Sequence, residues 1–563
     1  MAASKLTNED KLKRLIYLGN VDPKYISGGP DKYIPVTKAK QELLDEFVKN
    51  SANDLLRIIL SASEDKLIPH RATLYNILAC AMANEGISEK SKPEISATVL
   101  KICRSDKEFF DFIMYVTSLR TDKCKLPPTA AKTVRKYYTN KSAQDLVNSY
   151  TKYNSYHSWS HKDLIKLGHV KSDTPLKNIV INYILFKKNT EQEGDSEAKK
   201  LLDILKKSET LRSTKDHKVA VPIIAELKAT INQVEPTLRK SAEVWNAVLP
   251  NMSLPEVLQV LPKLYKLGFL KKDTPTQAQI NETLTNVEKV KASGVHPIEV
   301  FIAMKNFEKR WQKKLLLPIV VINYYFRPLD PKLLDHLVRE KKLTEEEIKK
   351  LRTPNEAKCP VVINHLQKCM YISCNNVQSF GKRYMVTIDV TDKMDTPCLH
   401  NKNITSLEAA VAFAMCLMRV EKDVTVAVYK EKEVSIVHLD KKGQFYEHVQ
   451  KLRESKSNYL VPVSAIEWAS TQKKHIDIFF NFIHHKEYYT SIPKDVREKI
   501  SRPSEALQKY RKKFNLQNTK LVTFCMSSPH VTFADGSPNM LDVAGLDLGV
   551  ARAVEAFCRG NFS

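Results

Sequence analysis

Glycine is scarce in this chain, 14 in 563 residues, which favours helix over tight-turned structure. No Walker loop, nucleophile elbow or H-E-x-x-H helix occurs, and no Cys/His set has metal-binding spacing, so an enzyme is not expected. Ten cysteines lie scattered without a single C-x-x-C pair. That pattern argues against a zinc ribbon or a disulfide framework and points to a reduced compartment. The cytoplasm is the expected location, with the nucleus as a second one. No apolar run approaches the roughly 18 to 20 residues that cross a bilayer, and the start MAASKLTNEDKLKRL lacks the apolar stretch of a signal peptide. No membrane partner is expected.

Acidic residues are outnumbered, 64 Asp and Glu against 89 Lys and Arg, for a formal charge of +25. Residues 381–563 hold 27 basic against 21 acidic residues, so the excess lies mainly in the larger amino-terminal part. A field of that sign attracts polyanions, nucleic acid above all. The apolar pattern divides in the same place. From Lys38 to about Lys313, amphipathic segments such as Asn53 to Ala62, Ala72 to Ala83 and Asp106 to Leu119 follow one another through short turns, the pattern of a HEAT-like paired-helix solenoid. From Pro318 to about Gln378 the pattern is irregular, with a charged helix expected at Thr344 to Arg352. Beyond Gly381, strands expected at Tyr384 to Val390, Val424 to Tyr429, Ile476 to Ile483 and Lys520 to Met526 alternate with helices, as in a doubly wound parallel sheet. The expected domains are 1–358, helical repeats; 359–380, a connecting segment; and 381–563, α/β.

One stretch, Thr151 to Lys171 (TKYNSYHSWSHKDLIKLGHVK), concentrates cations, imidazoles and rings. Ser160 and Asp163 form a capping-box pattern, so a helix is expected from His161 to about His169. Lys162, Lys166 and His169 then share one exposed stripe, with Lys152, Tyr156, His161 and Lys171 beside it. Lysines neutralise phosphates, and rings stack on unpaired bases. Arg120, Lys123, Lys132, Arg135 and Lys136 form a second basic cluster, next to Tyr137 and Tyr138.

The spacing K-Y-x(5)-W-S-H-K-D-L-x-K-L-x-H-x-K resembles the most characteristic segment of the Ro ribonucleoprotein autoantigen family, its TROVE module. His296-Pro297 and M-L-D-x-x-G-x-D-x-G at Met540 to Gly549 resemble that family in the same order. The resemblance implies a ring of helical repeats and a von Willebrand factor A-like domain. It also implies binding of Y-type small noncoding RNA on the outer basic face, and of single-stranded 3′ ends of misfolded noncoding RNA in the ring, with other RNA-processing proteins as partners. Lys152 and His169 match family positions implicated in Y RNA binding, but Tyr156 stands where the family has arginine. A tyrosine can stack or donate one hydrogen bond; it cannot make a charged fork with phosphate. A diverged protein-interaction scaffold is therefore the alternative.

The A-type fold often holds Mg²⁺ on a D-x-S-x-S motif completed by later Thr and Asp. Here the motif reads Asp389-Val-Thr391-Asp-Lys393, and Leu460 and Ile483 fall near the two later positions. Two of five ligands make a poor octahedral site. No cofactor is expected, and Lys393 is expected to pair with Asp389.

Overall fold

The structure, a computed structural model, describes residues 6–28, 37–84, 86–119, 126–187, 196–309, 359–484, 492–531 and 533–563. The helix expected at Thr344 to Arg352 lies outside them.

The first helix shows how local chemistry sets the elements. Thr7 and Asp10 cap each other's backbone at the start of α1 (Asn8–Leu18), and Gly19, at φ +71°, ends it in the left-handed conformation that costs glycine least. A short strand, β1 (Lys24–Ile26), follows. Next come α2 (Lys38–Asn50), α3 (Ala52–Ser63), α4 (Ala72–Ala83), α5 (Ser91–Ile102), α6 (Asp106–Ser118), α7 (Pro128–Thr139) and α8 (Ala143–Lys152). After a hairpin, β2 (Ser155–Tyr156) and β3 (Trp159–Ser160), the chain continues through α9 (His161–Leu167), α10 (Pro175–Phe186), α11 (Ser196–Ser213), α12 (His217–Leu227) and α13 (Ala242–Val248). Helices pack on the helix two positions along: α3 on α5, α4 on α6, α5 on α7, α7 on α9 and α8 on α10. This i to i+2 stacking is that of a HEAT-like solenoid.

By their internal contacts the described residues form two compact units. The first comprises residues 1–253, 536–538 and 549–563; the second comprises 254–535 and 539–548. Two sets of contacts account for this division. In the first unit the buried Arg14 donates to the carbonyls of Gly536 and Ser563, and Tyr17 stacks on Phe562 at 5.1 Å, which draws the chain's last segment onto α1. In the second unit α14 (Leu254–Lys266), α15 (Pro275–Thr285), α16 (Val287–Ser293) and α17 (Pro297–Lys309) come together. There α15, α16 and α17 pack on α18 (Pro360–Ser373). The segment expected to be a connector is thus largely a 14-residue helix. Its buried residues Val362, Ile363, Leu366, Cys369 and Met370 recur at helical spacing, and that stripe requires covering.

The α/β part of the second unit contains β4 (Arg383–Ile388), a hairpin of β5 (Pro397–Cys398) and β6 (Asn401–Thr405), α19 (Ser406–Val420), β7 (Asp423–Lys430) and β8 (Glu433–Ile436). It continues with α20 (Phe445–Glu454), α21 (Ser464–Thr471), β9 (Ile478–Ile483), α22 (Lys494–Arg497), α23 (Pro503–Phe514), β10 (Lys520–Cys525) and β11 (Met540–Ala544). Strand order is β11-β10-β9-β4-β7-β8, parallel except for β8, which runs antiparallel at the edge. One sheet face buries Met385, Phe479, Leu521 and Met540 among side chains from α21 and α23, including Ile466, Leu507 and Tyr510. One rung of that face is polar: Thr387, Asn481, Thr523 and Asp542 stand in register across four strands, all buried. Asn481 Nδ2 donates to the buried Pro462 carbonyl at 3.2 Å.

Candidate nucleic-acid interface

The stretch from Lys152 to Lys171 is held by neighbouring helices. Ser160 and Asp163 form the expected capping box at the start of α9, and the helix closes at Gly168. That glycine is needed for a close approach: a Cβ there would come within 2.8 Å of Val134 Cγ1 and 3.0 Å of the Leu164 carbonyl. Gly168→Ala should therefore push α9 off α7 and cost about 1–3 kcal/mol, measured by urea unfolding at pH 7. Between β2 and β3, His157 (φ +51°) and Ser158 (φ +65°) are both left-handed, as a two-residue primed hairpin turn demands. His157 Nε2 lies 2.7 Å from Asp111 Oδ1 on α6, which pins the hairpin tip.

Several cations near this surface serve helix carboxyl ends, where unpaired carbonyls concentrate negative partial charge. Arg135 Nε donates to the Gly168 carbonyl at the end of α9 (2.9 Å), and Lys177 Nζ to that of Thr139 at the end of α7 (2.9 Å). Arg212 on α11 donates to the Tyr150 and Thr151 carbonyls near the end of α8, joined there by Gln233. Arg135, expected to contact RNA, thus has its Nε engaged within the protein. Arg212, Gln233 and Lys177 orient the surface, and sequence patterning gave no signal for them because their partners lie far along the chain.

His161 is a correction. Its ring is 1% exposed, shares a 2.8 Å hydrogen bond with the Tyr138 hydroxyl and meets Phe110 edge-on at 5.1 Å. As the first residue of α9 it turns inward between α6, α7 and α8, out of reach of RNA. Burial pushes its pKa down from 6.5 to about 4. The unfolded chain therefore binds the proton first: this stability is fully present above pH 6.5 and is lost as pH falls towards 4. The loss is on the order of 3 kcal/mol. Urea unfolding of His161→Phe should show a shallower fall over that pH window than the unchanged protein; an identical slope would show that His161 is not its source.

Lys132, Lys136, Lys152, Lys162, Lys166, His169 and Lys171 are exposed and make no ion pair among the described residues. Lys132 with Lys136 on α7, and Lys162 with Lys166 on α9, form i, i+4 pairs on two helices that pack together. Arg120 and Lys123 lie outside the described residues. Tyr156 is half-buried, and Lys107 of α6 holds its ammonium 5.4 Å from the ring centroid. A cation is therefore present beside position 156 although the side chain there carries none. Lys107 was not legible beforehand because it lies 49 positions away on another helix.

The donors at the A-type metal position fall short of a metal site. Asp389 is 1% exposed, and its Oδ1 accepts from the Thr391 amide at 2.8 Å. Burial pushes its pKa up to about 6. Leu460 and Ile483 are buried and apolar, with no donor to offer, and no group of three or more His, Cys, Asp or Glu is placed for a metal among the described residues. Among the described residues Asp389 and Thr391 supply one carboxylate and one hydroxyl, fewer protein oxygens than the five-ligand motif offers Mg²⁺. Lys393 is exposed, and its charge opposes the upward push of burial on Asp389.

A model of the TROVE domain matches residues 75–238 and 226–391, and a model of the Ro60 vWA domain matches residues 383–558. The chain belongs to the Ro60 family. Relatives of this Ro60-family chain include the RNA-binding protein RO60 of Caenorhabditis elegans and that of Deinococcus radiodurans, each 20% identical over 99% of this chain. The matches span 88% and 93% of those proteins. The crystal structure of the Deinococcus radiodurans RO (RSR) protein has the same fold, with a TM-score of 0.76 at 18% identity over 98% of this chain and all of that one.

Proposed function

We propose that this Ro60-family chain is an RNA-binding protein of small noncoding RNA ribonucleoproteins. On this reading the surface of α7, the hairpin and α9 takes Y-type RNA, and the helical repeats accept single-stranded ends of misfolded noncoding RNA for quality control, in the cytoplasm. The observation that carries it is the set of exposed lysines on α7 and α9 that remains after neighbouring cations are engaged at helix ends. Lys107 beside Tyr156 favours RNA over the protein-scaffold alternative, because it places a cation at the position where the family's arginine would supply one.

Crosslinking and sequencing of RNA from cells tests this, with Lys152→Ala/His169→Ala alongside. A small structured RNA enriched on the unchanged protein and lost from the variant is the expected result. No enrichment, or equal recovery on the variant, would favour the scaffold.

A further inference from the structure

In a parallel sheet the amino ends of the strands form a single edge, here opposite the one that carries Asp389. Along it Lys422 precedes β7, Lys382 precedes β4, Lys473 (φ +50°) precedes β9, and Lys512 lies in the last turn of α23 before β10. All four are exposed and make no ion pair among the described residues.

The acidic groups of this edge are mostly turned inward. Glu421, 2% exposed, accepts from Ser379 Oγ (2.8 Å) and from the amides of Phe380 and Gly381 (each 3.1 Å), closing the loop that leads to Lys382. Asp477 takes the Arg383 guanidinium as a fork, at 2.9 and 2.8 Å. Asp423 beside Lys422 is exposed, as is Asp535, whose charge acts on Arg511 next to Lys512. Other lysines are engaged within the protein: Lys513 donates to the Ser470 carbonyl near the end of α21 (2.9 Å), and Lys474 to the Thr425 hydroxyl on β7 (2.7 Å). The four outer lysines are left over from both tasks.

We infer that this edge is a second RNA contact, one that grips the phosphate backbone of a duplex without reading its sequence. It rests on the proposed RNA-binding function. The starts of four neighbouring strands, spaced at about 4.8 Å, span about 15 Å. At roughly 3.4 Å per phosphate along one strand of a duplex, that is about four phosphates. Phe514, the partly buried ring at this edge, is already flanked by His475 at 5.1 Å and by the Lys513 ammonium at 5.4 Å. Such a surface suits helical RNA, whose backbone is accessible while its bases are not.

The test uses the full chain and a labelled mixed-sequence RNA duplex of about 20 base pairs, followed by fluorescence anisotropy over a range of salt. Lys382→Glu/Lys422→Glu/Lys473→Glu/Lys512→Glu should weaken duplex binding at least about 10-fold and reduce the logarithmic salt slope by about 3. The four-fold glutamine version, a milder change for folding, should shift both in the same direction, with melting temperatures reported for each. Unchanged duplex affinity in a folded glutamate variant overturns the edge assignment, and so does an unchanged protein that ignores the duplex. Displacement of the duplex by polyglutamate of equal charge also overturns it, in favour of an acidic protein partner. Failure of the proposed function would appear separately, as small-RNA recovery from cells that is unaffected by Lys152→Ala/His169→Ala.

Discussion

Changing Lys152, Lys162, Lys166 and Lys171 together to alanine should weaken binding of a small structured RNA about 100-fold at about 150 mM salt. Each neutralised phosphate contributes roughly 0.7 to the logarithmic salt slope for single strands, so four lost contacts lower the slope by about 3 and the affinity by about two orders of magnitude at that salt. These lysines are exposed, so folding should be nearly unaffected. Electrophoretic mobility shifts at several salt concentrations measure both quantities. A parallel loss at every salt, with no change of slope, would mean that the lysines act by shaping the surface and not by meeting phosphates.

Lys305→Met should be among the most damaging single substitutions for stability. Lys305 is 1% exposed on α17, with its ammonium 2.9 Å from Glu408 Oε1, 2.7 Å from Glu308 Oε2 and 3.2 Å from the Tyr446 hydroxyl. Glu408 also accepts from the Thr405 amide at the start of α19, so this one ammonium joins α17, α19 and α20. Removing it takes the ammonium away from Glu408, which is buried, and from Glu308 nearby, at a cost of about 3–5 kcal/mol. Adding Glu408→Gln should recover part of that, because the orphaned charge is then gone. Denaturant midpoints of the single and double variants decide it; a double variant no better than the single one would place the damage in packing.

What was legible in the sequence had local causes. The capping box at Ser160 and Asp163 and the helical stripe of Ala72 to Ala83 both depend on residues within four positions of each other, and each element stands within a residue or two of its expected place. What was not legible depends on distant partners. His161 reads as a member of an exposed basic run until α6 and α7 close over it. Arg135 is as basic as Lys136, yet only the close approach at Gly168 brings a carbonyl to its Nε. The stripe of α18 was present in the sequence but was masked by the irregular segment before it, and strands as short as β5 and β6 carry too few residues for a period to emerge.

The polar rung of Thr387, Asn481, Thr523 and Asp542 has a consequence for how the sheet finds its alignment. In a core of purely aliphatic parallel strands, a slip of one residue turns every side chain to the wrong face, but a slip of two preserves the faces and is opposed only by shape. Here a two-residue slip of β9 would set the amide of Asn481 against Met385 of β4 or Asp389 just beyond it and draw it away from the Pro462 carbonyl. A buried amide without a partner costs about 1–3 kcal/mol. The rung therefore works as a key cut for a single lock position: it adds little to the depth of the native state and much to the height of its nearest competitors.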